Sequence, residues 1–549
     1  MVIASDATQK TYVTLKRERN CRTLPDDPII PEFMMYRPGL EDSELEEIAN
    51  SLSVNSRSTK DRFLLFTDIL IEFVGGGEWL NRSPSFLAMC AKACFLRGMY
   101  GYNQMLAKDS QNLTCKGYAA AAYCRQSLDP RWLNNLRNIT NQTWQSKDFI
   151  AFSELSGELA SVLIDLGYTD HAQEVAAESI DKVTLATAQD PDIRTIVQAA
   201  LIRTRIILAF ISGYADSREE QMIRFDSAYD TAVLLDDQLA INDIRYYKAR
   251  ALEDIYEHDR ALDLCRVAQR NFEQMGYLHG LADARNLRGV IHLNLGQLQD
   301  ARDEFEELLI LQQQLNNQVG LARSLINVGE IDRTLDQIDQ METYNRRALE
   351  ISQEAEYMRG ITVATVNLGD VALRKGDTKL ALQHYQAALK LAEGAGMKQI
   401  LALAHFVTAD AYFLNQDFDK ALEHYDMAKM VSIEVAHLIY AFNADISKIV
   451  TLWAKNEKPD GKLVQEIRKI MGPLSDWLDA SDSSLMKNVR RKIIEDLASE
   501  NDLCVFYDGE KSFECRVERQ KLRKECFGNL YWMRNLCPYF QDFMTKIEE

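Results

Sequence analysis

The 549-residue sequence predicts an all-α fold, an α-solenoid of stacked helix-turn-helix units. Three observations carry that prediction. A phrase recurs every forty residues: GLADARNLRG from Gly280, GLARSLINVG from Gly320 and GITVATVNLG from Gly360. Only 10 Pro and 25 Gly are spread over the chain, which suits long helices with short connections and disfavours a turn-rich β fold. Apolar residues also fall at the i, i+4, i+7 spacing of a buried helical stripe.

Taken in order, residues 1–40 carry prolines at 25, 28, 31 and 38 without periodicity and read as an extended arm. Residues 41–150 read as an irregular helical region, opened by the acidic-started helix LEDSELEEIANSL and broken at GGGEW and DPRW. FVGGGEWL lacks the Gly-Lys-Ser/Thr of a phosphate loop and reads as a turn. Residues 151–440 form the repeat array, clearest over 240–440.

Two columns of small residues define that array. The first is Ala249, Gly289, Gly329, Gly369 and Ala409; twelve residues on come Ala261, Ala301, Met341, Ala381 and Ala421. Between them lie the turns LGQLQD, KGDTKL and NQDFDK, whose Gly or Asn can take φ > 0 at a helix C-terminus. Each unit is therefore two helices, and small residues let their axes approach while Phe305, Tyr385 and Tyr425 fill the space beside the crossing. The segment 195–235 reads as a further unit with a disturbed turn. Met341 in a small-residue column, and EIDRTLDQIDQ without a turn glycine, predict a looser middle repeat. Residues 441–549 read as a C-terminal helical cap with a β-hairpin over 504–515 signalled by Asp508-Gly509. A turn centred on Gly509-Glu510 would set Cys504 opposite Cys515.

These units resemble the tetratricopeptide repeat family, in the longer-spaced form of kinesin light chains and Leu-Gly-Asn-repeat adaptors. The motifs are NVGEI at Asn327, NLGDVALRKGDTKLALQHYQAALKLA from Asn367 and ADAYFLNQDFDKALEHYDMAKM from Ala409. The resemblance implies that the first helix of each hairpin lines a concave groove, where polar residues repeating down the face hold a partner peptide.

Composition narrows the function classes. With 63 basic against 82 acidic residues the formal charge is −19, which argues against nucleic acid or an anionic membrane as partner. No run of eighteen apolar residues appears, and the N-terminal stretch lacks the apolar core of a secretory signal, so a cytoplasmic protein is expected. Ten cysteines then read as reduced thiols. Cys504, Cys515, Cys526 and Cys537 are evenly spaced but contain no close pair, so no metal site is expected. The eight histidines form no HExxH, and neither a G-x-S-x-G elbow nor a cofactor-binding motif is present, so the chain reads as a non-enzyme without cofactor.

The candidate partner-binding groove comprises Arg323, Asn327, Glu330, Arg333, Asn367, Asp370 and Asp410. Glu330, Asp370 and Asp410 each follow a small residue of the first column and form an acidic column that suits a protein or peptide partner with a basic segment. A second docking surface is the basic, aromatic-tipped tail, with Arg516, Arg519, Lys521, Arg523, Lys524 and Trp532. The function expected is a protein–protein interaction scaffold or adaptor. The alternative is a ligand-responsive regulatory sensor whose repeats bind a peptide or modulator and whose tail engages an effector. Nothing in the sequence sets an oligomeric state.

Overall fold

The forty-residue period is a pair of helices, and the helix starts keep it in step. The computed structural model describes residues 62–127, 130–253 and 257–455 apart from a few positions, several residues between 40 and 51, and four residues of the tail. First helices begin at 238, 278, 318, 358, 398 and 438, and second helices at 258, 298, 338, 378 and 418. The arm and most of the tail, including the Arg516–Trp532 candidates, lie outside the described residues.

Among the described residues the helices are α1 (Arg62–Gly75), α2 (Pro84–Leu96), α3 (Tyr100–Asp109), α4 (Leu113–Ser127), α5 (Pro130–Gln145), α6 (Phe149–Asp165) and α7 (Thr169–Ala186). They continue as α8 (Pro191–Ala200), α9 (Ile202–Ala215), α10 (Arg218–Leu234), α11 (Gln238–Glu253), α12 (His258–Met275), α13 (Leu278–Asn294) and α14 (Leu298–Gln314). The last are α15 (Gln318–Thr334), α16 (Ile338–Glu354), α17 (Met358–Arg374), α18 (Thr378–Gly394), α19 (Lys398–Leu414), α20 (Phe418–Glu434) and α21 (Leu438–Ala454). None is long and apolar enough to cross a membrane.

The turns are as regular as the helices. Residues with positive φ stand at 276, 296, 316, 336, 356, 376, 396 and 416. At each of several of these turns the next amide closes back onto the helix: Gln297 N–H to His292 O, Asn317 to Gln312, Asp377 to Ala372 and Asp417 to Tyr412, all 2.9–3.0 Å. Glycine supplies the left-handed residue at 276, 296, 376 and 396, whereas Asn316, Asp336, Glu356 and Gln416 adopt it with a side chain. The expected looseness of the middle repeat is therefore not seen. Asp336 takes φ 57°, and Gln337 N–H closes on Asp332 O at 2.8 Å. Met341 is fully buried, and Asn345 stands where other hairpins carry Phe or Tyr, so a larger and a smaller side chain exchange volume one turn apart.

The small columns do what close packing requires. A Cβ on Gly289 would lie 2.5 Å from the Phe305 ring, and one on Gly369 would lie 2.4 Å from the Tyr385 ring. Ala301, Ala381 and Ala421 are fully buried at the facing positions.

The chain divides into two compact units. The first comprises residues 1–254, 258–324 and 354–357. Its hairpins are built on α6/α7, α9/α10, α11/α12 and α13/α14; in the 195–235 repeat the first helix is preceded by the short α8, broken at Leu201. Gly117 and Gly157 mark close approaches here, the first meeting Leu155 and the second Thr204. The free thiols of Cys90, Cys94, Cys115, Cys124 and Cys265 are buried in this unit, and burial pushes the Cys94 and Cys265 thiols up to about 12. The second unit comprises 255–257, 325–353 and 358–549. Its core stacks Ala372, Ala381, Tyr385, Ala388, Ala404 and Ala411 in one hairpin step and Ala409, Ala421, Tyr425, Ala428 and Ala444 in the next.

In the tail, β1 (Tyr507–Asp508) pairs antiparallel with β2 (Glu514–Cys515). The register sets Tyr507 opposite Cys515 and Asp508 opposite Glu514, which centres the turn near 511. The facing of Cys504 and Cys515 expected from a turn at Gly509-Glu510 is thus corrected: the loop is three residues longer than that tight turn.

Candidate functional site

In the second unit the first helices α15, α17 and α19 carry the acidic column, and each carboxylate has a partner in its own hairpin or helix. Asp370 accepts a hydrogen bond from the Tyr385 hydroxyl at 2.5 Å, and Asp410 accepts one from Tyr425 at 2.6 Å. Each tyrosine lies fifteen residues on, in the second helix of the same hairpin, so the ring that packs against the small-residue column also delivers its hydroxyl to the carboxylate beside it. Glu330 is bonded by Arg333 Nε at 2.7 Å. Burial raises the Asp370 carboxyl, while Arg333, the Tyr385 hydroxyl and Arg374 pull it down.

The amides are likewise committed. Asn345 Nδ2 donates to the Met341 carbonyl at 2.8 Å, and Asn367 Nδ2 donates to Asn345 Oδ1 at 2.9 Å. Asn367 is buried, so its side chain ties α17 to α16; Asn327 is half-buried on α15. Arg374 pairs with the turn residue Asp336 at 2.8 Å. Tyr440 of α21 lies close enough to Glu330 and Arg333 to feel both charges, although α21 follows α15 by three hairpins. The first helices of this unit therefore converge on one polar face holding Glu330, Arg333, Asp370 and Tyr440. Arg323, the remaining groove candidate, belongs to the first unit.

Arg323 leads to an arrangement that the sequence reading missed. Arg203, Asp243, Asp283 and Arg323 stand at an interval of forty, one per first helix of α9, α11, α13 and α15. Arg203 pairs with Asp243 at 2.8 Å and Arg323 with Asp283 at 3.7 Å, each bond joining neighbouring hairpins. Glu154, Glu158, Ser161 and Asp165 share one face of α6 and extend the ladder. Lys92 bonds Glu154 at 2.6 Å, Arg203 reaches Glu158 at 2.9 Å, and Arg125 contacts Glu158 and Asp165 at 3.2 Å. Burial pushes the Asp243 carboxyl up against the pull of Arg203. The period that located the small residues also contained this column, but its signs alternate, so it does not stand out as a run of one charge.

At the Arg125–Asp165 and Arg323–Asp283 end of this ladder lies a cavity of about 30 Å³, also lined by His279, Gln312, Gly320 and Tyr357. Burial holds His279 down to about 4, so the ring is neutral at physiological pH.

The tetratricopeptide repeat profile matches residues 361–429, which cover α17 to α20 up to Lys429. No curated protein matches the sequence. Among solved structures the chain is similar to a Rap protein complexed with competence and sporulation factor, at 14% identity and TM-score 0.46 over 72% of this chain and 99% of that one. It is similar to the apo form of the quorum sensor NprR from B. thuringiensis, at 14% identity and TM-score 0.43 over 66% of this chain and 99% of that one. It is also similar to aspartyl phosphate phosphatase F from Bacillus subtilis, at 13% identity and TM-score 0.39 over 63% and 91% respectively. Residues 361–429 are thus tetratricopeptide repeats, and the hairpins beside them share their period, their turn geometry and their pair of small-residue columns.

Proposed function

We propose that the chain is a non-catalytic interaction scaffold that holds a peptide or helix against the polar face of its first helices. The observation that supports this most is the convergence of Glu330, Arg333, Asp370 and Tyr440 from helices up to three hairpins apart, since a face assembled from several repeats offers an extended partner one contact per repeat. Both signs are present on it. A basic segment of the partner would have to compete with Arg333 and with two tyrosine hydroxyls for the acidic column, so Glu330, which has no tyrosine latch, is the carboxylate most open to exchange.

The test is affinity capture with the full chain, compared with Glu330→Gln combined with Asn327→Ala. These changes alter the face without breaking the Asp–Tyr latches. Loss of the captured partner at low salt, with an unchanged helical circular-dichroism spectrum, is the expected result. Capture that survives this variant but fails when Arg516, Arg519, Lys521, Arg523 and Lys524 are all changed to Ala would move the contact to the tail. The sensor reading is favoured by one observation, the small polar cavity of the first unit, and it predicts a ligand-dependent change in small-angle scattering that a rigid scaffold does not show.

A further inference from the structure

His405 on α19 and His424 on α20 meet across one hairpin, with their Nδ1 atoms 3.1 Å apart. Each ring is half-buried, so the pair is held by the fold yet reachable from solvent. They occupy a register in which a first-helix residue pairs with the one nineteen places on in the second helix. In steps of forty before them stand Thr365 with His384, Leu325 with Tyr344 and Arg285 with Glu304. The Arg285 guanidinium donates to Glu304 at 3.1 Å, so that hairpin is clasped by an ion pair. Tyr412, packed on the core of Ala409, Ala421 and Tyr425, lies 5.4 Å from the His424 ring, and its hydroxyl accepts from Gln386 at 3.3 Å. The aromatic neighbour of His424 is therefore anchored at both its ring and its hydroxyl.

Two histidines cannot clasp as Arg285 and Glu304 do. Protonating one disfavours protonating the other, and as neutral rings they share a single hydrogen bond in which one Nδ1 donates and the other accepts. The same spacing suits a shared cation. Two imidazole nitrogens, each about 2.0–2.1 Å from one ion and set roughly at a right angle around it, stand about 3 Å apart. Burial, with the neighbouring His424, holds His405 down to about 4, and burial lowers His424 as well, so both rings are in the neutral form that ligates metals. Donor type selects the ion. Two imidazoles, with no third His, Cys, Asp or Glu completing a set among the described residues, favour Zn²⁺, Ni²⁺ or Cu²⁺ over Mg²⁺ and Ca²⁺, which take oxygen ligands. Water would fill the remaining positions and stay exchangeable for an outside donor.

We propose that His405 and His424 form a two-histidine site for one divalent cation of the zinc class, bound through both Nδ1 atoms and clasping α19 to α20. The site goes beyond the scaffold reading and shares no residue with the Glu330 face, so failure of either leaves the other standing. Its ligands lie on different helices, outside the close spacings by which metal motifs are recognised in a sequence.

The experiment uses the full chain labelled with ¹⁵N-histidine, with the ring resonances assigned through His405→Gln and His424→Gln. Free Zn²⁺ is fixed by a chelator buffer, so uptake by cysteines elsewhere does not alter it, and MgCl₂ is titrated in parallel. The expected result is that Zn²⁺ shifts the Nδ1 signals of both rings with one common midpoint, whereas Mg²⁺ shifts neither. Either single variant should weaken Zn²⁺ at the remaining ring by about tenfold or more, because the second donor is delivered at high effective concentration. A shift of one ring alone, unequal midpoints, ligation through Nε2, an equal response to Mg²⁺, or unchanged affinity in the single variants overturns the proposal. A second readout needs no variant: saturating Zn²⁺ should slow hydrogen exchange in α19 and α20 and leave α13 and α14 unchanged. Equal slowing everywhere, or none, overturns the clasp.

Discussion

Tyr385 and Tyr425 account for Asp370 and Asp410, two of the three carboxylates of the acidic column, without a ligand. Where the second helix offers a tyrosine, the residue after the small position is Asp370 or Asp410; where it offers Phe305, that residue is Val290. In these three hairpins a hydroxyl and a carboxylate come together, or both are absent, as expected if the two side chains satisfy each other; Glu330, whose counterpart is Asn345, is bonded by Arg333 instead. Tyr385→Phe or Asp370→Val alone leaves one buried partner unbonded and should destabilise by about 1–3 kcal/mol. The double variant, which reproduces the Val290/Phe305 pair, should cost less than the sum, as read from a double-mutant cycle in urea. Additive costs would mean that the latch contributes nothing. The sequence displayed the column but not the latch, because a run of like charges can be counted along one helix position while its partner lies fifteen residues on, in another helix. The same limit hid Asn367, whose amide reads as a free groove donor until Asn345 is placed beside it.

At the scale of elements, helices and turns were legible because they follow from backbone geometry. The sequence located the turns at LGQLQD, KGDTKL and NQDFDK, but in the last of these Gln416, not Asn415, takes the left-handed conformation, and at 336 and 356 Asp and Glu take it with no glycine to mark the turn. Gln416→Gly relieves that conformation at an exposed turn, and the stability gain should be about 0.5–1 kcal/mol after the entropy of the added glycine, measured by chemical unfolding. His279 at the start of α13 stacks on Tyr100 and Phe95, helices away in sequence. Its folded value of about 4 lies below the unfolded value of 6.5, so between those limits the unfolded chain binds a proton that the folded chain does not. Stability should therefore fall as pH drops from about 6.5 to 4, by up to about 3 kcal/mol from this residue. His279→Phe keeps the stack and should flatten that part of the dependence; an unchanged pH profile would count against a buried neutral ring.

For the molecule as a whole, repeats that touch chiefly their neighbours make damage local. Ala381→Leu forces a larger side chain into a fully buried crossing and should destabilise by about 1–3 kcal/mol. Hydrogen exchange should show the loss of protection in α17, α18 and α19, with the 62–253 helices unaffected; uniform loss across the chain would contradict nearest-neighbour stability. The strict interval of twenty residues from turn to turn has a further consequence. Adding one residue inside a helix rotates everything after it by about 100° about the axis. Such a frame slip would swing Tyr385 away from Asp370 and break the step from Arg203 to Asp243, although each side chain stayed chemically intact. The chain is thus phase-locked: it can gain or lose length without scrambling its own addresses only in whole forty-residue cassettes, and a variant lacking one complete cassette should fold where a variant lacking a single helical residue does not.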